Sequence, residues 1–213
     1  MKNLIKQTLA VIGCVMLSFG IVATMSFIAG PSKSKIKIEK KLLSKGNEAE
    51  RYCNENDFNQ DFCILIDMSL HSGKKRFYVY DFKQKKVIQS FPVSHGCGIN
   101  SWGSGDSAGN PSFSNTVDSH LSSLGKYAIG DRGWSSWGVN VNYTLHGLDY
   151  SNSNAYDRYI VFHSWEWISD NEIYPAASAE GWGCPAISNN NFNKVDKLLK
   201  NQTKPTLMWI YNE

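Results

Sequence analysis

The 213-residue chain carries 22 Lys and Arg against 19 Asp and Glu, a net charge of +3 that is unevenly placed. Eight of the lysines and one glutamate fall in residues 1–45, which leaves 14 basic and 18 acidic residues, a net −4, for residues 46–213. That balance excludes a basic nucleic-acid-binding surface on the folded part, and the length allows one domain with a sizeable core plus an appendage.

The appendage comes first. Residues 8–30, TLAVIGCVMLSFGIVATMSFIAG, hold no charged residue and follow Lys2 and Lys6, the charge order of a secretory signal peptide or an N-terminal membrane anchor. The run is longer than a usual signal-peptide core and its small-residue cleavage sites are weak, so an uncleaved apolar anchor helix over 1–30 is expected. Val11-Ile12-Gly13-Cys14 has the look of a lipidation site, but the apolar run continues well past it. Lys33, Lys35, Lys37, Lys40, Lys41 and Lys45 follow, and by the positive-inside rule they oppose export. Residues 31–45 read as a charged linker that solvates a stalk or touches anionic headgroups, and the globular domain is expected over 46–213.

Within that domain, 47–60 suits a short helix, and then the pattern turns to strands. CILIDM (63–68), RFYVYD (76–81) and KVIQSFPVSH (86–95) are rich in β-branched and aromatic residues and are split by polar turns, which predicts three consecutive antiparallel strands. Residues 96–135 are dense in Gly, Ser and Asn and read as loop, long enough to suggest function. Strands are expected again at 137–145, 159–163 and 205–211. Phe192, Val195, Leu198 and Leu199 stand at helical spacing after Ser188 or Asn189 as N-cap, so 189–200 reads as a helix. The sum is a mainly β domain with a few short helices.

Five cysteines are present. In an exported chain Cys53 and Cys63 could be joined across a short loop, or they could be two half-buried thiols; Cys97 reads as core. Cys184 differs, because it stands in Gly181-Trp182-Gly183-Cys184-Pro185. A cysteine nucleophile needs a thiolate, a base to make it and donors for the oxyanion. The glycines let the backbone N–H groups of Gly183 and Cys184 turn toward one point, while Pro185 holds Cys184 extended. Of the five histidines, His163 is the strongest candidate base because it closes the strand-like YIVFH, 21 residues before Cys184. His146 also ends a strand and could serve instead or bind substrate. His95 beside Cys97 is a local pairing, and His71 and His120 lie in turn-like sequence.

From about residue 60 to 211 the sequence resembles the L,D-transpeptidase catalytic domain family, in its YkuD-like branch. The resemblance rests on VFHSWEW (161–167) and GWGCPAIS (181–188), with FSNTVDSHLSSLGKYAIG (113–130), HGLDYSNSNAYDRYIVFH (146–163) and VSHG (93–96) in the same order. It implies a β-sandwich-like fold with Cys184 as nucleophile and His163 as general base, and the backbone amides of Gly183 and Cys184 are the oxyanion candidates. The Ser164 carbonyl or a nearby acceptor could orient the imidazole, and the resemblance implies as partner a peptidoglycan stem peptide at the cell envelope, outside the cytoplasm. No cofactor or metal is implied. The sequence departs from the family pattern at Ser164, where glycine is usual, at Gly181, where Ser or Thr is usual, and at Ala186, where the wider family often has Arg or Asn. Arg158 or Arg132 could then hold the substrate carboxylate, and Trp182 or His146 could contact substrate.

Three other functions stay open at this stage. An L,D-carboxypeptidase or other wall hydrolase would use the same residues with water as acceptor. A cell-wall or glycan-binding module would use tryptophans such as Trp102, Trp134, Trp137, Trp165 and Trp167 for stacking on sugars. A zinc amidase is disfavoured, because no His or Cys pair has ligand spacing.

Overall fold

The computed structural model describes residues 33–213, and the expected anchor, lipidation site and cleavage site in residues 1–30 lie outside them. The chain divides into a unit ending at Ile36 and a second, Lys37–Glu213, which carries all that follows except residues 33–36. No helix among the described residues is long and apolar enough to cross a membrane.

Helix α1 spans Lys33–Glu55, so that most of the stretch read as a linker is helical. Its lysines hid the pattern: Leu42, Lys45, Gly46, Ala49 and Cys53 are its buried positions, recurring at spacings of three and four that put them on one face. Leu42, Ala49 and Cys53 pack with Cys63, Leu65, Tyr78, Tyr80, Leu207 and Tyr211 on one side of the sheet. Lys45 is tolerated there because its ammonium lies over the Trp209 ring and pairs with Glu213.

The domain is mainly β, with few helices. Its strands are β1 (Phe62–Asp67), β2 (Phe77–Asp81), β3 (Lys86–Phe91), β4 (Gly125–Trp134), β5 (Val141–Gly147), β6 (Val161–Ser164), β7 (Ala186–Ile187) and β8 (Thr206–Tyr211). They form one sheet in the order β3-β2-β1-β8-β4-β5-β6-β7. The first three pair antiparallel, as their sequence predicts. Strand β4 is the large departure from expectation, because it lies in the stretch read as loop. Its buried positions Gly125, Tyr127 and Ile129 alternate with half-buried ones, and the register shifts between Ile129 and Arg132.

The sheet curls onto itself. Phe77 of β2 stacks on Phe162 of β6 with centroids 5.5 Å apart, although four strands separate β2 from β6 in the sheet order. The enclosed core joins these to Ile64, Ile66, Val79, Leu145, Phe192 and Met208. Each such side chain, fully buried, contributes about 1.5–3 kcal/mol, an upper figure since the unfolded chain is itself partly collapsed. Helix α2 (Asn189–Leu199) closes the core with Phe192, Val195 and Leu199. It begins where expected, the Ser188 hydroxyl accepting from the Asn191 amide at 3.3 Å. In place of the expected sandwich-like packing, a single sheet curves until it is nearly closed and barrel-like.

Cys53, Cys63, Cys97 and Cys184 all carry free thiols. Burial pushes the Cys53 thiol up to about 12 and Cys63 well above the usual thiol value, which marks both as unreactive packing groups.

Candidate active site

Strand register brings Cys184 and His163 to one place. Strands β6 and β7 run parallel with His163 opposite Ala186 and Ser164 opposite Ile187. Side chains alternate along a strand, so His163 and Ala186 turn to one cleft while Phe162 turns into the core, and Cys184 stands two residues before Ala186 beside the start of β6. The Val161 amide accordingly lies 3.4 Å from Cys184 Sγ. His163, Cys184 and Ala186 line one cleft of about 100 Å³, together with Ser94, Gly181 and the indoles of Trp102, Trp137, Trp165 and Trp182.

The imidazole is fixed in one tautomer. His163 Nδ1 is 2.9 Å from the Ser164 carbonyl, which only accepts, so Nδ1 carries the proton and Nε2 is free to take another. Burial lowers the His163 pKa, partly offset by that carbonyl and by Glu166, and so favours the neutral ring. Cys184 keeps partial contact with solvent. Its thiol is raised by burial, against the Val161 N–H and the Arg158 charge, which lower it. Both shifts favour the uncharged forms, the neutral thiol and the neutral ring.

The turn before the cysteine is specified by backbone. Gly183 has φ of +98°, and a β-carbon there would stand 2.6 Å from the Leu121 carbonyl oxygen. Its own carbonyl accepts from the Ser122 hydroxyl at 3.1 Å, and the same hydroxyl accepts from the Gly96 amide. Gly181 bridges Gly96: its N–H donates to the His95 carbonyl at 2.8 Å and its carbonyl accepts from Cys97 at 2.7 Å. Ser94, fully buried, donates to the Cys184 carbonyl at 3.1 Å and accepts from the Ala186 amide at 2.9 Å. These bonds use carbonyls around the cysteine and leave the Gly183 and Cys184 amides out of the backbone ladder among the described residues.

The other sequence candidates are placed as follows. Trp182 lines the cleft, is more than half exposed and stacks on His120 at 5.1 Å. Arg158 lies near Cys184 but spends its donors on the Ser114 and Leu121 carbonyls and on the Ser119 and Ser123 hydroxyls. Arg132 is held by Asp196 at 2.7 Å. His146 is exposed on β5, stacked on Tyr156, and is not among the cleft residues. Sequence reasoning missed Ser94 and Ser122 as braces of the cysteine turn; the signal was a serine inside an apolar strand run, VSH, which needs a buried partner. Of the tryptophans named as candidates for stacking, Trp102, Trp165 and Trp167 come together, with Trp102 4.9 Å from Trp165 and 4.7 Å from Trp167.

Behind the cleft, His95 is fully buried and its pKa is pushed down to about 3 by burial first, then by Arg76 and His71. A folded-state value below the ordinary 6.5 means that the unfolded chain binds the extra proton more readily. Stability is therefore complete above about pH 6.5 and declines as pH falls toward about 3, by up to about 1.4 kcal/mol per unit. We expect thermal midpoints between pH 7 and pH 4 to fall steeply for the native protein and less steeply for His95→Gln; equal slopes would contradict the assignment.

A sequence model of the L,D-transpeptidase catalytic domain family matches residues 34–211 of this chain. The chain belongs to that family. Among solved structures it is similar to Bd1075 of Bdellovibrio bacteriovorus, at 16% identity and a TM-score of 0.44, over 74% of this chain and 49% of that one. It is also similar to an L,D-transpeptidase of Xylanimonas cellulosilytica (13%, 0.37, 70% and 60%) and to the helical cell shape determining protein Pgp2 of Campylobacter jejuni (14%, 0.43, 82% and 55%). The chain thus spans about half to three fifths of the length of these proteins. No curated protein sequence matches it.

Proposed function

We propose that this protein is a cysteine-dependent peptidoglycan L,D-transpeptidase that acts through a Cys184 thioester. The observation that carries the proposal is the placement of Cys184 and a His163 ring with free Nε2 on one cleft. On this reading Nε2 of His163 takes the Cys184 proton as Sγ attacks the carbonyl of the L-centre in the L,D bond of a stem peptide. The amides of Gly183 and Cys184 are the donors to the oxyanion. The C–N bond then breaks, and the proton on Nε2 passes to the nitrogen of the departing D-alanine. An amine of a neighbouring stem attacks the thioester, gives its proton to His163 and receives the acyl group; the thiolate leaves and recovers that proton. Membrane attachment through residues 8–30 and a site of action outside the cytoplasm belong to the same proposal, since the stem peptides are there.

Water in place of the amine makes the protein an L,D-carboxypeptidase, and the indole walls would suit a glycan-binding module on the same cleft. Incubation with disaccharide-tetrapeptides, read by mass spectrometry, separates the three. Loss of D-alanine with a new crosslinked dimer, absent from Cys184→Ala, is expected. Loss without dimer selects the carboxypeptidase, and binding with no product in either protein selects the module.

A further inference from the structure

A charged cluster with no part in the chemistry above lies just behind the cysteine turn. Arg76, His95 and Glu180 are each fully buried, and Glu180 is the residue immediately before Gly181. Their contacts form a chain with one direction. Arg76 Nη2 is 2.8 Å from His95 Nδ1; a guanidinium only donates, so Nδ1 accepts and Nε2 holds the ring proton. His95 Nε2 is 2.9 Å from Ser107 Oγ, and Ser107 Oγ is 3.0 Å from Glu180 Oε1. Donation therefore runs from the guanidinium through imidazole and hydroxyl to the carboxylate, each bond polarising the next. Arg76 also donates to the Val93 and Leu70 carbonyls.

Two buried charges are expensive unless they are paired and hydrogen-bonded, and well-packed apolar residues serve stability as well. The position of the carboxylate indicates what it does instead. It accepts from the Ser107 amide at 2.7 Å, from Ser104 Oγ at 3.3 Å and from Asn100 Nδ2 at 3.4 Å. Its own backbone exchanges bonds with the same loop, Gly103 N–H to Glu180 O and Glu180 N–H to Ser104 O, both 2.8 Å. Residues 100–107 are thus gathered around one side chain, and Trp102 projects from that loop onto the cleft wall.

We propose that Glu180 is a positioning residue whose carboxylate, at the end of the chain from Arg76 through His95 and Ser107, clamps residues 100–107 to the segment leading into Cys184. The clamp sets the distance between the Trp102 wall, against which the substrate rests, and the nucleophile. The part of this that concerns substrate rests on the transpeptidase reading; the clamp itself does not.

The test uses the full chain in Glu180→Gln and in Ser107→Ala, the latter keeping both buried charges should the former fail to fold. Acrylamide quenching of tryptophan fluorescence reports the Trp102 wall without any substrate. Quenching is expected to rise in each folded variant, and the rise is expected to vanish in a Trp102→Phe background. With disaccharide-tetrapeptide, KM is expected to rise several-fold while kcat changes little, a split that general destabilisation does not produce. Unchanged quenching in the folded variants, or a rise that persists in Trp102→Phe, overturns the clamp. Altered quenching that depends on Trp102, in a protein without turnover, supports the clamp and counts against the transpeptidase reading alone.

Discussion

His163→Gln is expected to lower kcat by about 10²–10⁴-fold while leaving the thermal midpoint near that of the native protein. Two features of the site set that size. Burial holds the Cys184 thiol above its usual value of 9, so at pH 7 less than about 1% of it is thiolate without help. On the proposed reading the imidazole supplies the help, because in the neutral ring Nδ1 carries the proton toward the Ser164 carbonyl and Nε2 keeps its lone pair. The pH dependence separates this role from a packing role. With His163 present, its lowered pKa puts the acidic limb of kcat/KM below 6.5, and the rate is level above it. With glutamine there, the small residual rate should climb with pH to beyond 9, following the thiol's own ionisation. A variant that keeps the native pH profile, or loses activity only in proportion to folded protein, would remove His163 from the base role.

Gly183→Ala carries the second large effect. A residue with a β-carbon at φ near +98° costs about 1–3 kcal/mol in backbone strain. The added carbon also meets the Leu121 carbonyl at 2.6 Å, backbone that is itself held by the Arg158 guanidinium. The turn must shift, and with it the Gly183 and Cys184 amides that the proposed oxyanion would use. Loss of one such donor corresponds to about 10²–10³ in kcat. We expect a folded protein with a lowered midpoint, retained substrate binding and a kcat reduced to that degree. Ordinary kcat in a stably folded Gly183→Ala protein would show that these amides are not the donors.

Much of the frame was legible because its signals are local. FCILID, FYVYD and TLMWIY are runs whose branched and aromatic side chains suit a strand buried on both faces, and all three are strands. Strand β4 was not legible, since Gly125, Gly130, Asp131 and Gly133 dilute its alternation and read as loop. Its pairing is imposed by β8 on one side and β5 on the other, partners distant in sequence. The amino-terminal part of α1 was hidden for the opposite reason: a charged run gave no apolar period, and Lys45 is covered by the C-terminal residues Trp209 and Glu213.

The site divides along the same line. A cysteine between glycines and proline, and a histidine closing a strand, carry their chemistry in the residue types, so both could be singled out. That they face one cleft depends on the parallel register of β6 with β7, which no local pattern gives. Glu180 shows the limit most clearly. An acidic residue in a glycine-rich loop reads as solvated, yet it is fully buried and meets Asn100, Ser104 and Ser107 some seventy to eighty positions away.

The central claim is that Cys184 becomes acylated by a stem peptide, and intact-protein mass spectrometry tests it most directly. The protein is mixed with a disaccharide-tetrapeptide, quenched in acid within the first turnover and digested. We predict an added mass equal to the donor less D-alanine, confined to the peptide containing Cys184, released by hydroxylamine and absent from Cys184→Ala. An unmodified Cys184 in a protein that nonetheless releases D-alanine, or an adduct on another residue, would contradict the account.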